Sequence, residues 1–468
     1  MYNAIKAYAD SGTVPFHMPG HKLGAGIPSD FLKDMIRLDL TELPGMDNLH
    51  HPTGAIRAAQ ELAAEAFGAH RSYFLVNGST CGIHTMISTI CKPGDRLIVS
   101  RDCHRSVIAG LMLAGASPVY ILPGFSPDFG ITTGVSPESV EKAMRAEPDA
   151  VGVLITRPNY YGICSDLAEI AEIVHSRGKL LVVDEAHGSH LCFSSQLPKS
   201  SMSAGADICV QSAHKTLISL TQGAYLHVGS ETVDLDRLQY FLGMLQTSSP
   251  SYLIMASLDL ARELMQSYGK ERLDGLLSKI RQLKEQTQVG NIDILGNEDV
   301  CGFELDETRI TICVKNLGIS GYDAEAILRC HYGIQVEMSD LYNVVCIATP
   351  TDTEKNLEYL FASLDGLPTL CKAKSHVYMK EAASGYLKLP VQVLTLEEAM
   401  QAKSAWVSLE GAAGKISKSI VAPYPPGIPV LCPGEVLSQE TLEYLKTVID
   451  SGGMVNGINE NYEINVTT

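Results

Sequence analysis

The segment Gln211-Ser212-Ala213-His214-Lys215-Thr216 follows directly on the apolar run Asp207-Ile208-Cys209-Val210. The run predicts a buried strand, and the tips of strands in an α/β sheet are where ligands collect. A Lys directly after Ser-Ala-His at such a tip is oddly placed for a solubilising charge. Lys215 therefore reads as a Schiff-base lysine. Upstream, Leu180-Leu181-Val182-Val183 predicts another buried strand, and it delivers Asp184-Glu185-Ala186-His187-Gly188 at its end.

An Asp at one strand end and a Lys at the end of a following strand form the pair that pyridoxal phosphate needs. The Lys holds the aldehyde carbon and the Asp keeps the pyridine nitrogen protonated. The phosphate then calls for an anion site. Tyr73-Phe74-Leu75-Val76 predicts a strand, and Asn77-Gly78-Ser79-Thr80 leads from it into an apolar helix over Ile83 to Ile90. Free N–H groups and the helix dipole at such a turn attract a phosphate, whereas Ser79 or Thr80 without Lys215 and Asp184 would read equally well as ordinary caps.

The surrounding pattern repeats strand and helix. Helices are expected over Gly54 to Ala69, Asp102 to Leu113, Pro137 to Ala146 and Leu167 to Ser176. Strands are expected at Arg96 to Val99, Val119 to Leu122, Val151 to Ile155 and Tyr225 to Val228. This alternation implies a mainly parallel sheet with helices on both faces. His104, just past a strand, is placed to stack on a flat cofactor.

Four regions are expected: an N-terminal arm (1–30), a large α/β cofactor domain (31–268), a small α+β domain (269–371) and a C-terminal region (372–468). The arm is rich in Pro and Gly and cannot build its own core. Val233 to Ser267 reads as helix interrupted by Thr247 to Tyr252, and a further helix is expected from Leu273 to Gln288. Lys372 to Gly385 reads as a linker, and Ala422 to Pro429 as an extended segment pinned against the fold.

Composition narrows the function. With 468 residues, 45% hydrophobic and 19% charged, the chain reads as a soluble globular protein of two or three packed regions. A formal net charge of −17 argues against nucleic acid or an anionic membrane as partner. The 12 Cys include no Cys-x-x-Cys, and the spacing of His187, His190 and Cys192 fits no standard zinc site, so no metal is expected. No run approaches the roughly 20 apolar residues of a membrane span. The N-terminus carries no secretory pattern, and the cytoplasm is the expected location.

With these residues laid out, the chain resembles the ornithine/lysine/arginine decarboxylases, fold type I pyridoxal-phosphate enzymes, in a short form without a receiver-like N-terminal domain. The resemblance is carried by His17 to Lys22, Asn77 to Thr80, Cys103 to Ser106, Asp184 to Gly188, Ser212 to Lys215, Ser248 to Pro250, Tyr424 to Pro429 and Pro433 to Glu435. It implies that Ser79 and Thr80 bind the phosphate, that His104 stacks over the ring and that Asp184 partners the ring nitrogen. It further implies that Ala186 packs beneath the ring with His187 beside it, that Ser212 and His214 border the phosphate and that Lys215 holds the cofactor. Ser248 stands where the family usually has a Thr that reaches the phosphate of the neighbouring subunit, so a homodimer or larger assembly is implied. Ile83 and Asn159 replace a common Asn and Thr, and a Pro-Arg pair common in the family is missing around Thr395 to Ala399.

The implied reaction is decarboxylation of a small-molecule basic amino acid. Arginine to agmatine is expected first, with lysine to cadaverine and ornithine to putrescine next. Asp47, Glu42 and Glu435 are candidates for binding the distal cation. The rivals are an aminotransferase, for which Arg309 is a candidate to grip the substrate carboxylate, and a non-catalytic protein of the same fold.

Overall fold

The computed structural model describes residues 1–287, 290–371, 388–425 and 427–468. Seven strands make the central sheet: β1 (Arg71–Leu75), β2 (Arg96–Ser100), β3 (Ser117–Ile121), β4 (Gly152–Thr156), β5 (Leu180–Asp184), β6 (Ile208–Gln211) and β7 (Ala224–Val228). Their spatial order is β1-β7-β6-β5-β4-β2-β3. β7 runs antiparallel to both its neighbours and the other pairs are parallel. Reversal of β7 alone leaves the carboxyl ends of β1, β2, β4, β5 and β6 on one edge. The chain turns back between β2 and β4, the kind of switch point at which α/β sheets bind ligands.

Both faces of the sheet are covered, which is why its strands read as continuous apolar runs. Leu75, Val99, Leu154, Val182 and Val210 pack on one face against the helices Gly78–Ile90 and Arg105–Ala114. Ile98, Val153, Ile155, Leu181 and Val183 pack on the other against Pro137–Ala146 and Leu167–His175. Burying one such aliphatic side chain stabilises the fold by about 1.5–3 kcal/mol. Side chains alternate along a strand, so Asp184 shares the face of Val182. That face is covered by the two helices that begin beside Ser79 and His104.

Three expectations about the remaining chain are refined. The helix expected over Gly54 to Ala69 spans Ala55–Phe67 and stops at Gly68, whose φ of 68° is the left-handed conformation Gly adopts most readily. The expected interruption after Leu235–Leu245 is present, but the next helix, Tyr252–Leu264, does not end near 267. A single π turn, Met265–Gly269, joins it to Lys270–Gln286. Met265, Leu273, Leu277 and Ile280 all enter one core, and this continuous apolar stripe carries the helix across residue 268. Gln288 lies outside the described residues.

Beyond this helix, Asp293–Ile294, Arg309–Cys313, Asn343–Ile347 and Met338–Ser339 form an antiparallel sheet in that order. The N-terminal arm lies on this region, with Val14–Phe16 pairing in parallel with Ile334–Val336. The C-terminal residues have a core of their own, including Val421, Leu431, Leu445 and Val466. Ala422–Tyr424 is extended and pairs with Met454–Asn456, as the Pro-rich pattern implied. The linker expected over Lys372 to Gly385 falls outside the described residues.

Candidate active site

β6 ends at Gln211, and the one helical turn after it, Ala213–Thr216, directs Lys215 into a cleft of about 680 Å³ at the carboxyl edge of the sheet. Lys215 Nζ lies 2.9 Å from His187 Nε2. On the far side of that ring, His187 Nδ1 lies 3.0 Å from Arg309 Nη2. Burial lowers the pKa of Lys215, Asp184 and Glu337 oppose that shift, and Arg309 adds to it.

Asp184 closes β5, paired with Val210 on one side and Thr156 on the other. Its carboxylate is 4% exposed and accepts the Ala186 N–H at 3.1 Å. Among the described residues it has no ion-pair partner. Burial raises its pKa, and Lys215 lowers it when protonated. Ala186 and His187 follow in the same buried turn. His104 lines the cleft as the N-cap of Arg105–Ala114; burial, and then the nearby Lys215, pull its pKa down to about 4. Burial pulls His214 to about 4 as well, against its bond to the Gly223 carbonyl. Both imidazoles are therefore neutral near pH 7.

The helix Gly78–Ile90 begins on the cleft wall with no side chain capping its first turn. Gly78 has a φ of 76° and donates its N–H to the Gln222 carbonyl at 3.0 Å. Ser79 and Thr80 line the cleft, and Ser212 donates to the Ser79 hydroxyl at 2.7 Å. An uncapped 13-residue helix aimed at a cleft, a buried carboxylate without a counter-ion among the described residues and a half-buried lysine fit the phosphate, ring nitrogen and aldehyde of pyridoxal phosphate in turn.

Other predicted residues lie elsewhere. Asp47 accepts the backbone N–H groups of Asn48, Thr53, Gly54, Ile56 and Arg57, so it anchors the start of Ala55–Phe67. Burial opposes its ionisation, but these bonds hold its carboxyl below the usual range. Glu435 is buried against Arg101 at 2.8 Å and ties the C-terminal region to the end of β2. Glu42 is exposed and accepts from Asn48. None of the three lines the cleft, because each serves its own local structure; the expectation that they bind the distal cation is corrected for this protomer. Ser248 is exposed and is not among the residues lining this cleft. Among the described residues no group of three His, Cys, Asp or Glu is placed to hold a metal ion, and His187 instead joins Lys215 to Arg309.

The cleft carries one carboxylate among its described lining residues, Glu337, which the sequence reading missed. Its Oε2 accepts the Met18 N–H at 2.9 Å. The available signal was alternation: Ile334, Val336 and Met338 are buried, while Gln335 and Glu337 between them are partly exposed, on a stretch of the cleft wall that Val336 and Met338 also line. Tyr8, His17 and Met18 of the arm and Tyr424 of the C-terminal region complete the wall. Lys22 is instead a buried pin, 3.4 Å from Asp352 and bonded to the Ile347 carbonyl.

The profile for the major domain of Orn/Lys/Arg decarboxylases matches residues 1–356, and that for their C-terminal domain matches residues 379–463. The chain belongs to the Orn/Lys/Arg decarboxylase family. Within it, the chain is 39% identical to an arginine decarboxylase of Halalkalibacterium halodurans over 98% of this chain and 94% of that one. It is 37% identical to an arginine decarboxylase of Bacillus subtilis over 98% and 95%. Among solved structures, the lysine decarboxylase of Francisella novicida superposes with a TM-score of 0.80 at 22% identity, covering 100% of this chain and 80% of that one. An L-threonine transaldolase of Pseudomonas fluorescens superposes at 0.59 and 16% identity, covering 82% and 89%. The decarboxylase thus has the fold of type I pyridoxal-phosphate enzymes.

Proposed function

We propose that this enzyme decarboxylates arginine to agmatine with pyridoxal phosphate held on Lys215. The observation that carries the reading is one cleft lined by Lys215 and an uncapped helix N-terminus, with Asp184 buried at the tip of the strand next to β6 and without an ion-pair partner among the described residues. The chemistry the cofactor supplies when bound is an electron sink for the pair released as the Cα–carboxylate bond breaks. The backbone N–H groups at Ser79 and Thr80, with Ser212 and His214 at their border, would bind phosphate oxygens. Asp184 would keep a proton on the ring nitrogen, and His104 and Ala186 would hold the ring between them. We assign the return of a proton to Cα to Lys215 Nζ, which would gain a proton as the substrate amine displaces it from the cofactor.

Arginine as substrate is supported by the relatives that carry that name and by Glu337. A carboxylate offers two coplanar oxygens, which match a guanidinium better than the point charge of lysine or ornithine. Purified enzyme should show a higher kcat/KM on arginine than on lysine or ornithine, releasing carbon dioxide and the amine; a keto acid product would instead mark an aminotransferase. Glu337→Gln should lower kcat/KM on arginine by roughly 10–100-fold, mostly through KM, because the distal cation does not change during the reaction. An unchanged KM would remove Glu337 from this role.

We further infer a cytoplasmic enzyme that is at least a homodimer, with Ser248 of each chain completing the phosphate site of the other. Ser248 is exposed and does not line its own cleft, and the large apolar side chains of Ile36, Met46, Tyr240 and Met244 also stand exposed. Among the described residues no helix is long and apolar enough to cross a membrane. Sedimentation at assay concentration should find a dimer or larger, and a fully active monomer would refute the shared site.

A further inference from the structure

Arg309 is 0% exposed, yet it forms no salt bridge among the described residues, and its Nε and Nη1 atoms have no hydrogen-bond partner. Asp306, close in sequence, is engaged by Thr308 and His190. The contacts Arg309 does make are to His187: Nη2 lies 3.0 Å from Nδ1 and 3.2 Å from the carbonyl oxygen. A guanidinium carries only donors and stays protonated in proteins, so His187 Nδ1 must accept. A neutral imidazole that accepts at Nδ1 bears its proton on Nε2, and that atom faces Lys215 Nζ at 2.9 Å. An ammonium has no lone pair to accept with. The chain of contacts is consistent only if Lys215 is the free amine.

We propose that Arg309 is a positioning residue which, by donating to His187 Nδ1, locks the Nε2–H tautomer and thereby holds Lys215 Nζ as the neutral amine. This rests on the reading of Lys215 as the cofactor lysine, since a neutral amine has the lone pair that a carbonyl carbon requires. The other charged groups near Lys215 are the acids Asp184 and Glu337, and both favour the ammonium. His104 and His214, which also face this cluster, are neutral near pH 7. Burial of Lys215 is the largest influence against the two acids, and Arg309 is the charged group that acts in the same direction.

The test measures the protonation of Lys215 in the full-length chain purified without cofactor. Reductive methylation with formaldehyde and dimethylamine-borane, followed by peptide mass spectrometry, gives the pH midpoint at which Lys215 becomes reactive. Arg309→Met should raise that midpoint by about one pH unit or more, His187→Phe should raise it as well, and Arg309→Lys should stay closer to the parent enzyme. A role confined to bracing the turn after Asp184 would leave the midpoint where it was. An unchanged midpoint in Arg309→Met overturns the proposal. A shift in Arg309→Met with none in His187→Phe overturns the relay, since Arg309 would then act through its field alone. Should Arg309→Met not fold, His187→Phe decides: a raised midpoint supports the relay and an unchanged one overturns it. A separate borohydride reduction of the cofactor-loaded enzyme identifies the lysine that carries the cofactor, so failure of the Lys215 reading is distinguishable from failure of the relay.

Discussion

Lys215→Ala is expected to abolish turnover, with kcat falling on the order of 10³-fold or more, because both the attachment point of the cofactor and the proposed proton carrier at Cα are lost together. The substitution should be tolerated structurally. The amine is buried beside His187 and has no salt bridge among the described residues, so removing it relieves a desolvation cost while the turn Ala213–Thr216 keeps its backbone bonds. Two measurements check the result. Steady-state release of carbon dioxide reports activity, and peptide mass after borohydride reduction reports whether a cofactor remains attached at position 215. Ordinary turnover by the Ala variant would sink the assignment of Lys215, and a thermal midpoint close to that of the parent enzyme would exclude misfolding as the cause of a loss.

Asp184→Asn is expected to have the next largest effect. The amide fills the same buried space between β4 and β6 but carries no charge, so it cannot favour a protonated ring nitrogen. Removing one partner of a buried ion pair costs about 3–5 kcal/mol, and each 1.36 kcal/mol is tenfold in rate, so kcat should fall by roughly 10² to 5 × 10³-fold. The loss should appear in kcat more than in KM, because the interaction is needed most when electrons flow into the ring. Lys215 is untouched, so borohydride should still trap the cofactor there. A variant that retains about a third of the parent kcat would show that Asp184 is not the partner of the ring nitrogen.

The two residues with the largest predicted effects could be found without a structure, and the reason is geometric. An apolar run that ends abruptly in Asp184, or in Ser212 to Lys215, marks both an element and its tip, and the side-chain period of two assigns the face. The turn at Gly78 to Thr80 was legible for the same reason, since a Gly with hydroxyls before an apolar helix is a local pattern. The continuous helix across residue 268 was not legible, because a π turn such as Met265–Gly269 leaves little trace in local periodicity and is set by the core that Met265 and Leu273 share.

The substrate-facing part of the cleft depended on long-range packing. Arg309 opens a strand of the small antiparallel region and Glu337 lies in the bend between Ile334–Val336 and Met338–Ser339; both are far in sequence from Lys215 and share its cleft because that region docks over the carboxyl edge of the central sheet. In a chain with 53 acids, nothing local separates Glu337 in the cleft from Asp47 at a helix start or Glu435 beside Arg101. Short-range patterning is enough to name the strand tips proposed to hold a cofactor, because secondary structure and facing are set within a few residues. Which distant charge meets the substrate is set by how two separately formed layers pack, and that information is spread over every contact between them.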